Sequence, residues 1–217
     1  MFFKKVEGIA RFERYLGARY QTLTYCFHKF IDSKGSIIVE LGTSRSFVDG
    51  RRRGCMINDI KYWKPRKVKS WDWGAGLFTL MCPTALSEYH PEIHTVDISP
   101  EAIAISKVIT SGYSHLIEYH CMSSHQFLSM FDKKADLIYM DAGDNDEASA
   151  QLHLEDAEII VDRALLAPGG TILVDDFNIP GTSDSKGKFS VPFLCENGFE
   201  IKIEAYQAVL EKSASRH

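Results

Sequence analysis

A doubly wound, mostly parallel α/β sheet is the fold that three features of this 217-residue sequence predict. Apolar runs short enough to be strands alternate with segments of helical period. The first of these runs is apolar almost throughout, as a strand buried on both faces of a parallel sheet must be. The last two runs follow each other almost directly, so they can pair only antiparallel. The length suits one such domain with a full core, spanning 1–217, and is short for two.

The elements follow in order. Val6, Ile9, Phe12, Leu16, Leu23, Phe27 and Phe30 recur at helical spacing. They predict one or two amphipathic helices, ended near Lys34-Gly35, as an amino-terminal helical cap over 1–34. SIIVEL (36–41) then reads as the first strand, stopped at Gly42. Further strands are expected at 92–98, 116–120, 135–141 and 170–176. Ser99-Pro100-Glu101 opens a helix with a cap residue, a proline at its first position and an acid in its first turn, and Gly112 ends it. A second helix is expected from Asp146 to Leu166, closed by Ala167-Pro168-Gly169-Gly170. The runs 198–204 and 206–212 make a terminal antiparallel hairpin.

Residues 49–73 break the alternation. They lack a period, and between 51 and 69 eight basic residues face only Asp59, a local charge of +7 in a chain whose net charge is -4. The segment reads as a basic insertion or lid, which would draw an anionic small-molecule substrate. Trp63, Trp71 and Trp73 lie on it as packing or as aromatic walls.

Composition excludes several classes. With 45% hydrophobic and 25% charged residues, the chain is neither disordered nor collagenous. Its acidic balance argues against a nucleic-acid binder. Cys26, Cys55, Cys82, Cys121 and Cys195 have no CxxC spacing, so reduced thiols and a cytoplasmic location are expected. The first twenty residues carry charges throughout, and no run approaches the roughly 18 apolar residues of a membrane span. Oligomeric state is not legible in the pattern.

Ligands of open α/β sheets bind beyond the carboxyl ends of the strands, where the strand order reverses. Each predicted strand delivers a polar group there: Glu40-Leu41-Gly42-Thr43-Ser44, then Asp97, then Met122-Ser123-Ser124, then Asp141, then Asp175-Asp176. Gly42 lets the backbone approach a ligand closely, or simply makes a tight turn. Asp97 can accept both hydroxyls of a ribose, or cap a helix. The turn after the first strand lacks GxGxxG, so a dinucleotide has no pyrophosphate cradle, and an adenosine-bearing ligand without one suits it better. Three carboxylates at adjoining strand ends repel unless they are protonated or bridged by a cation, and hard oxygen ligands suit Mg²⁺.

VELGTSRS, HTVDIS and ALLAPGGTILVDD resemble the motifs of class I S-adenosylmethionine-dependent methyltransferases. DAGDNDEASAQLHLED followed by VDDFNIPG is similar to the macrocin O-methyltransferase group and, more distantly, to catechol O-methyltransferase. The resemblance implies a Rossmann-like fold and O-methyl transfer to a sugar- or phenol-type hydroxyl of a small molecule. It implies that Glu40, Gly42 and Ser44 surround the methionine end of S-adenosylmethionine. The run Gly74 to Thr79, with Gly76, would continue that motif beyond the insertion. Asp97 would hold the ribose, and Met122 and Ser123 the adenine. Asp141, Asp175 and Asp176 would bind Mg²⁺, which would lower the pKa of the hydroxyl. Asp144 stands where the catechol enzymes carry a lysine, so either Asp144 or a metal-bound water would take the proton. Two other classes fit parts of the pattern: a metal-assisted hydrolase or hydroxylase on the same acids, and a non-catalytic module binding a nucleotide, or RNA through the basic insertion.

Overall fold

The computed structural model describes residues 7–10, 12–43 and 76–213. Ser44 and the predicted insertion at 49–73 lie outside them, as do Gly74 and Ala75. Over the described residues the chain runs α1 (Glu7–Ala10), α2 (Glu13–Leu16), α3 (Tyr20–Asp32), β1 (Ile37–Leu41), α4 (Leu77–Leu86), β2 (Glu92–Asp97), α5 (Pro100–Ile109), β3 (Ile117–Cys121), α6 (Ser124–Met130), β4 (Ala135–Met140), α7 (Glu147–Asp162), β5 (Leu166–Val174), α8 (Gly187–Glu196), β6 (Phe199–Glu204) and β7 (Ala208–Lys212).

Seven strands form one sheet in the order β3-β2-β1-β4-β5-β7-β6. β3 to β5 are parallel, and β7 pairs antiparallel with both β5 and β6. The fold is the Rossmann-like sheet expected, with its antiparallel carboxy-terminal pair. The order reverses between β1 and β4, which places their carboxyl ends, Gly42 and Asp141, side by side at the switch point.

The period of two along each strand sorts side chains between two apolar layers. Ile38, Tyr139, Leu173 and Val209 pack with Phe27 and Phe30 of α3 and Phe78 and Met81 of α4. Val39, Ile138, Met140 and Ile172 pack on the opposite face with Phe127, Ala157, Ile160, Val191 and Leu194 from α6, α7 and α8. Burying both faces is what requires strands as apolar as IIVEL and ADLIYM.

Caps fix the entries on the ligand side. The Ser99 hydroxyl accepts from the Ala102 amide and Pro100 takes the first helical position of α5. Ser123 and Gln126 form a reciprocal capping box at the start of α6. The Asp146 carboxylate accepts from the Ser149 amide at the start of α7.

Some boundaries depart from expectation. The cap is broken into two short turns, a 3₁₀ turn at Gly17–Arg19 and α3. α7 ends at Asp162 rather than Leu166, because Ala164 takes a left-handed conformation (φ 50°) and turns the chain directly into the sheet. Leu166 to Gly170 are therefore the irregular start of β5, where the register with β4 shifts, and not a helix stop. α6 and α8 were not predicted.

Candidate active site at the strand ends

The switch point is tightly knit before any side chain enters. The Gly42 amide donates to Val96 O and the Asp141 amide to Leu41 O, both at 2.8 Å. Gly42 has φ 89°, and a Cβ there would lie 2.7 Å from the Cα and N of Ala142. Only glycine lets the β1 turn pass this close to the β4 turn.

The first-motif residues divide. Glu40 is 1% exposed and accepts from the hydroxyls of Thr79 and Thr95, the latter at 2.6 Å. Burial pushes its carboxyl up to about 8 against those hydrogen bonds, through which it links β1, β2 and α4. Gly76 (φ 69°) begins α4 in a left-handed conformation, its missing Cβ leaving room for Ile109. Asp97 ends β2 with one carboxylate oxygen accepting from the Thr43 amide (3.0 Å) and the other from the Ser99 amide (2.8 Å). It therefore orders the two loops that flank the cleft, and each oxygen keeps a further lone pair for a ligand hydroxyl. Met122 and Ser123 follow β3, half-buried, and the Ser123 hydroxyl accepts from the Gln126 amide as the cap of α6.

Asp141, Asp175 and Asp176 do converge: one carboxylate oxygen from each lies within 4.8 Å of the others. They are not alone. Arg19 donates from Nε to Asp175 Oδ1 (2.9 Å) and from Nη2 to both Asp175 Oδ2 (3.0 Å) and Asp176 Oδ1 (2.9 Å). Lys186 Nζ donates to Asp141 Oδ1 (2.6 Å) and to the Asp141 carbonyl (3.1 Å), and lies 3.2 Å from Asp176 Oδ2. Gln207 Nε2 donates to Asp175 Oδ1 (2.7 Å), and the Tyr139 hydroxyl to Asp141 Oδ2 (3.3 Å). The Tyr206 ring stacks under the Arg19 guanidinium, 4.4 Å from its centre.

The protonation pattern follows from burial against these cations. Burial raises a carboxyl, but at Asp175 the charge and hydrogen bonds of Arg19 outweigh it and hold the group below the usual carboxylate range. At Asp141 burial wins over the pull of Lys186 and drives the group upward. Lys186 itself stays charged: burial opposes the ammonium, and the three aspartates outweigh burial. Asp176 adopts φ 48°, a left-handed conformation that aspartate tolerates better than most residues.

Sequence reasoning missed Arg19, Lys186, Tyr206 and Gln207. The one signal for them was the repulsion of three acids, which demands a cation from somewhere. Asp144 is exposed on the loop to α7, its amide donating to the Ser149 hydroxyl (2.8 Å). Beyond Asp176 the loop to α8 borders an open depression of about 430 Å³, lined by Phe177, Asn178, Ile179, Pro180 and Thr182 among others.

Residues 73–177 match the family model described as a methyltransferase domain. The match covers a little under half of the 217 residues. The matched segment runs from the approach to α4 through β5 and so contains Asp97, Asp141, Asp175 and Asp176. The whole fold is similar to that of a methyltransferase from Podospora anserina with S-adenosylhomocysteine bound (17% identity, 91% of this chain and 79% of that one, TM-score 0.58). It is also similar to a Corynebacterium glutamicum protein (12% identity, 99% and 94%, TM-score 0.60). A third likeness is to an S-adenosylmethionine-dependent O-methyltransferase from Thermotoga maritima (11% identity, 84% and 61%, TM-score 0.52). At these identities the likeness is one of fold. No curated protein matches. Among the described residues, no helix is long and apolar enough to cross a membrane.

Proposed function

We propose that the chain is an S-adenosylmethionine-dependent methyltransferase acting on the hydroxyl of a small molecule. The observation that carries this reading is the placement of Gly42, Asp97 and the start of α6 at the successive carboxyl ends of β1, β2 and β3, in a sheet whose residues 73–177 match a methyltransferase family model. The chain's residues fit the cofactor. Asp97 offers its unused lone pairs to the ribose hydroxyls, beside the β1 turn that Gly42 holds against the β4 turn. Met122 and Ser123 stand where the adenine would lie. When bound, S-adenosylmethionine supplies an electrophilic methyl group on a sulfonium.

The chain's part in transfer is placement and proton removal. The depression beyond Asp176 would hold the acceptor with its hydroxyl toward the strand ends. The exposed Asp144 carboxylate would take the hydroxyl proton as the oxygen gains the methyl group. Mg²⁺ does not fit the acid cluster as it stands, because its oxygens already accept from Arg19, Lys186, Gln207 and Tyr139.

Calorimetric titration with S-adenosylmethionine tests the reading. Asp97→Ala should weaken binding by about 1.5–3 kcal/mol, the range for hydrogen bonds to a charged group. Saturating binding, followed by label transfer to sugars or phenols, would support the assignment. Absence of binding to the folded wild-type chain would overturn it.

A further inference from the structure

We infer that Arg19 and Lys186 occupy the place of a divalent cation, so that the acid cluster of Asp141, Asp175 and Asp176 is closed by the chain's own charges and takes no metal. The inference rests on the methyltransferase reading only for its bearing on methyl transfer; the cation argument stands on geometry.

Three observations carry it. Every carboxylate oxygen of the three acids has a donor from the chain or a cation within 3.3 Å: Arg19 and Gln207 at Asp175, Arg19 and Lys186 at Asp176, Lys186 and Tyr139 at Asp141. Lys186 Nζ sits between Asp141 on the β4 turn and Asp176 on the β5 turn, facing three oxygens, which matches its three protons. An ion bridging those acids would need the same position, with oxygens at about 2.0–2.1 Å for Mg²⁺. Lys186 is 1% exposed, and its backbone amide donates to Asp176 O at 3.2 Å. The next residue, Gly187, packs so closely that a Cβ there would lie 2.6 Å from the Phe177 ring. The start of α8 is thus pinned, and the ammonium has little freedom to withdraw.

The charges agree. Three carboxylates with two cations leave one excess negative charge, where a divalent ion added to the same buried cluster would leave one excess positive charge. Arg19 comes from the turn before α3, Lys186 from the loop before α8, and Gln207 from the β6–β7 turn. The cluster therefore ties the amino-terminal cap, both central strand ends and the hairpin together, a task a bound metal would perform elsewhere. Lys186 acts as a positioning residue: its protons are all engaged by the acids.

Mn²⁺, read by the electron paramagnetic resonance signal of the free ion, is the probe. Full-length wild type should show no saturable site at the cluster, so Asp176→Asn should leave its Mn²⁺ titration unchanged. Lys186→Met keeps the unbranched apolar stem and removes the ammonium; it should gain one Mn²⁺ site at least about tenfold tighter than any wild-type binding. That site should disappear in Lys186→Met/Asp176→Asn, and Lys186→Arg should not gain it. Stoichiometric Mn²⁺ binding by wild type that Asp176→Asn abolishes would overturn the inference, as would a folded Lys186→Met protein that gains nothing. If Lys186→Met does not fold, the wild-type and Asp176→Asn titrations decide alone. S-adenosylmethionine titration in chelator is run in parallel. Its failure would count against the methyltransferase reading and leave the Mn²⁺ result standing.

Discussion

Replacing Asp156 with asparagine should flatten the pH dependence of folding stability. Asp156 lies on α7, is 0% exposed, and among the described residues neither of its carboxylate oxygens has a well-placed hydrogen-bond partner. Burial, moderated by the neighbouring Ser124 hydroxyl, raises its carboxyl from 3.8 to about 7. The unfolded chain releases this proton near its ordinary value, and the folded chain keeps it until about 7. Between those limits the native state binds more protons, so stability falls as pH rises. At about 1.4 kcal/mol per pKa unit, a shift of this size is worth on the order of 4 kcal/mol across the window. Asparagine is close in shape and does not titrate. Urea unfolding of wild type and Asp156→Asn at several pH values from about 4 to 8 gives the difference between them. That difference should swing toward the variant by several kcal/mol as pH rises, while the contributions of Glu40 and Asp141 are common to both proteins. Parallel curves would refute the reasoning and place a partner on the carboxylate.

Two further perturbations read the switch point and the cluster. Gly42→Ala must hold a side chain at φ 89° and 2.7 Å from backbone atoms of Ala142, so thermal melts should show a loss of about 3 kcal/mol. A wild-type-like melting temperature would mean the β1 turn can shift. Arg19→Met leaves Asp175 buried without its bidentate partner and should cost about 3–5 kcal/mol in urea unfolding near neutral pH. The loss should shrink toward acid pH as Asp175 becomes protonated; a pH-independent loss would show that packing alone is involved.

What could be read in advance followed from local physics. Runs such as IIVEL and ADLIYM are apolar because both faces of the sheet are covered, and that requirement is written in consecutive residues. The Ser99 cap was legible for the same reason, since cap, proline and acid are neighbours. The end of α7 was not. Ala164 takes its left-handed turn for the sake of strand entry, and Pro168-Gly169-Gly170 looked like a better stop. α8 was hidden by the Gly, Ser and Asp that precede it and by its internal Pro192. At the candidate site the acids could be named, because each ends an apolar run. Their counter-charges could not, because Arg19 is 156 residues from Asp175 and Lys186 is 45 from Asp141. No periodicity connects residues so far apart; only the topology does.

β7 follows both β5 and β6 in sequence yet lies between them in the sheet. During synthesis, at ~5–20 residues per second, β5 therefore emerges well before its outer partner exists. Its edge carries unpaired peptide groups through that interval, an invitation to pair with another chain. Asp175 waits with it, because Gln207 belongs to the turn that delivers β7. The last strand to insert thus also brings the final hydrogen bond to the acid cluster, and a nascent chain halted before residue 207 would have an open sheet edge and an Asp175 short of one donor at the same moment.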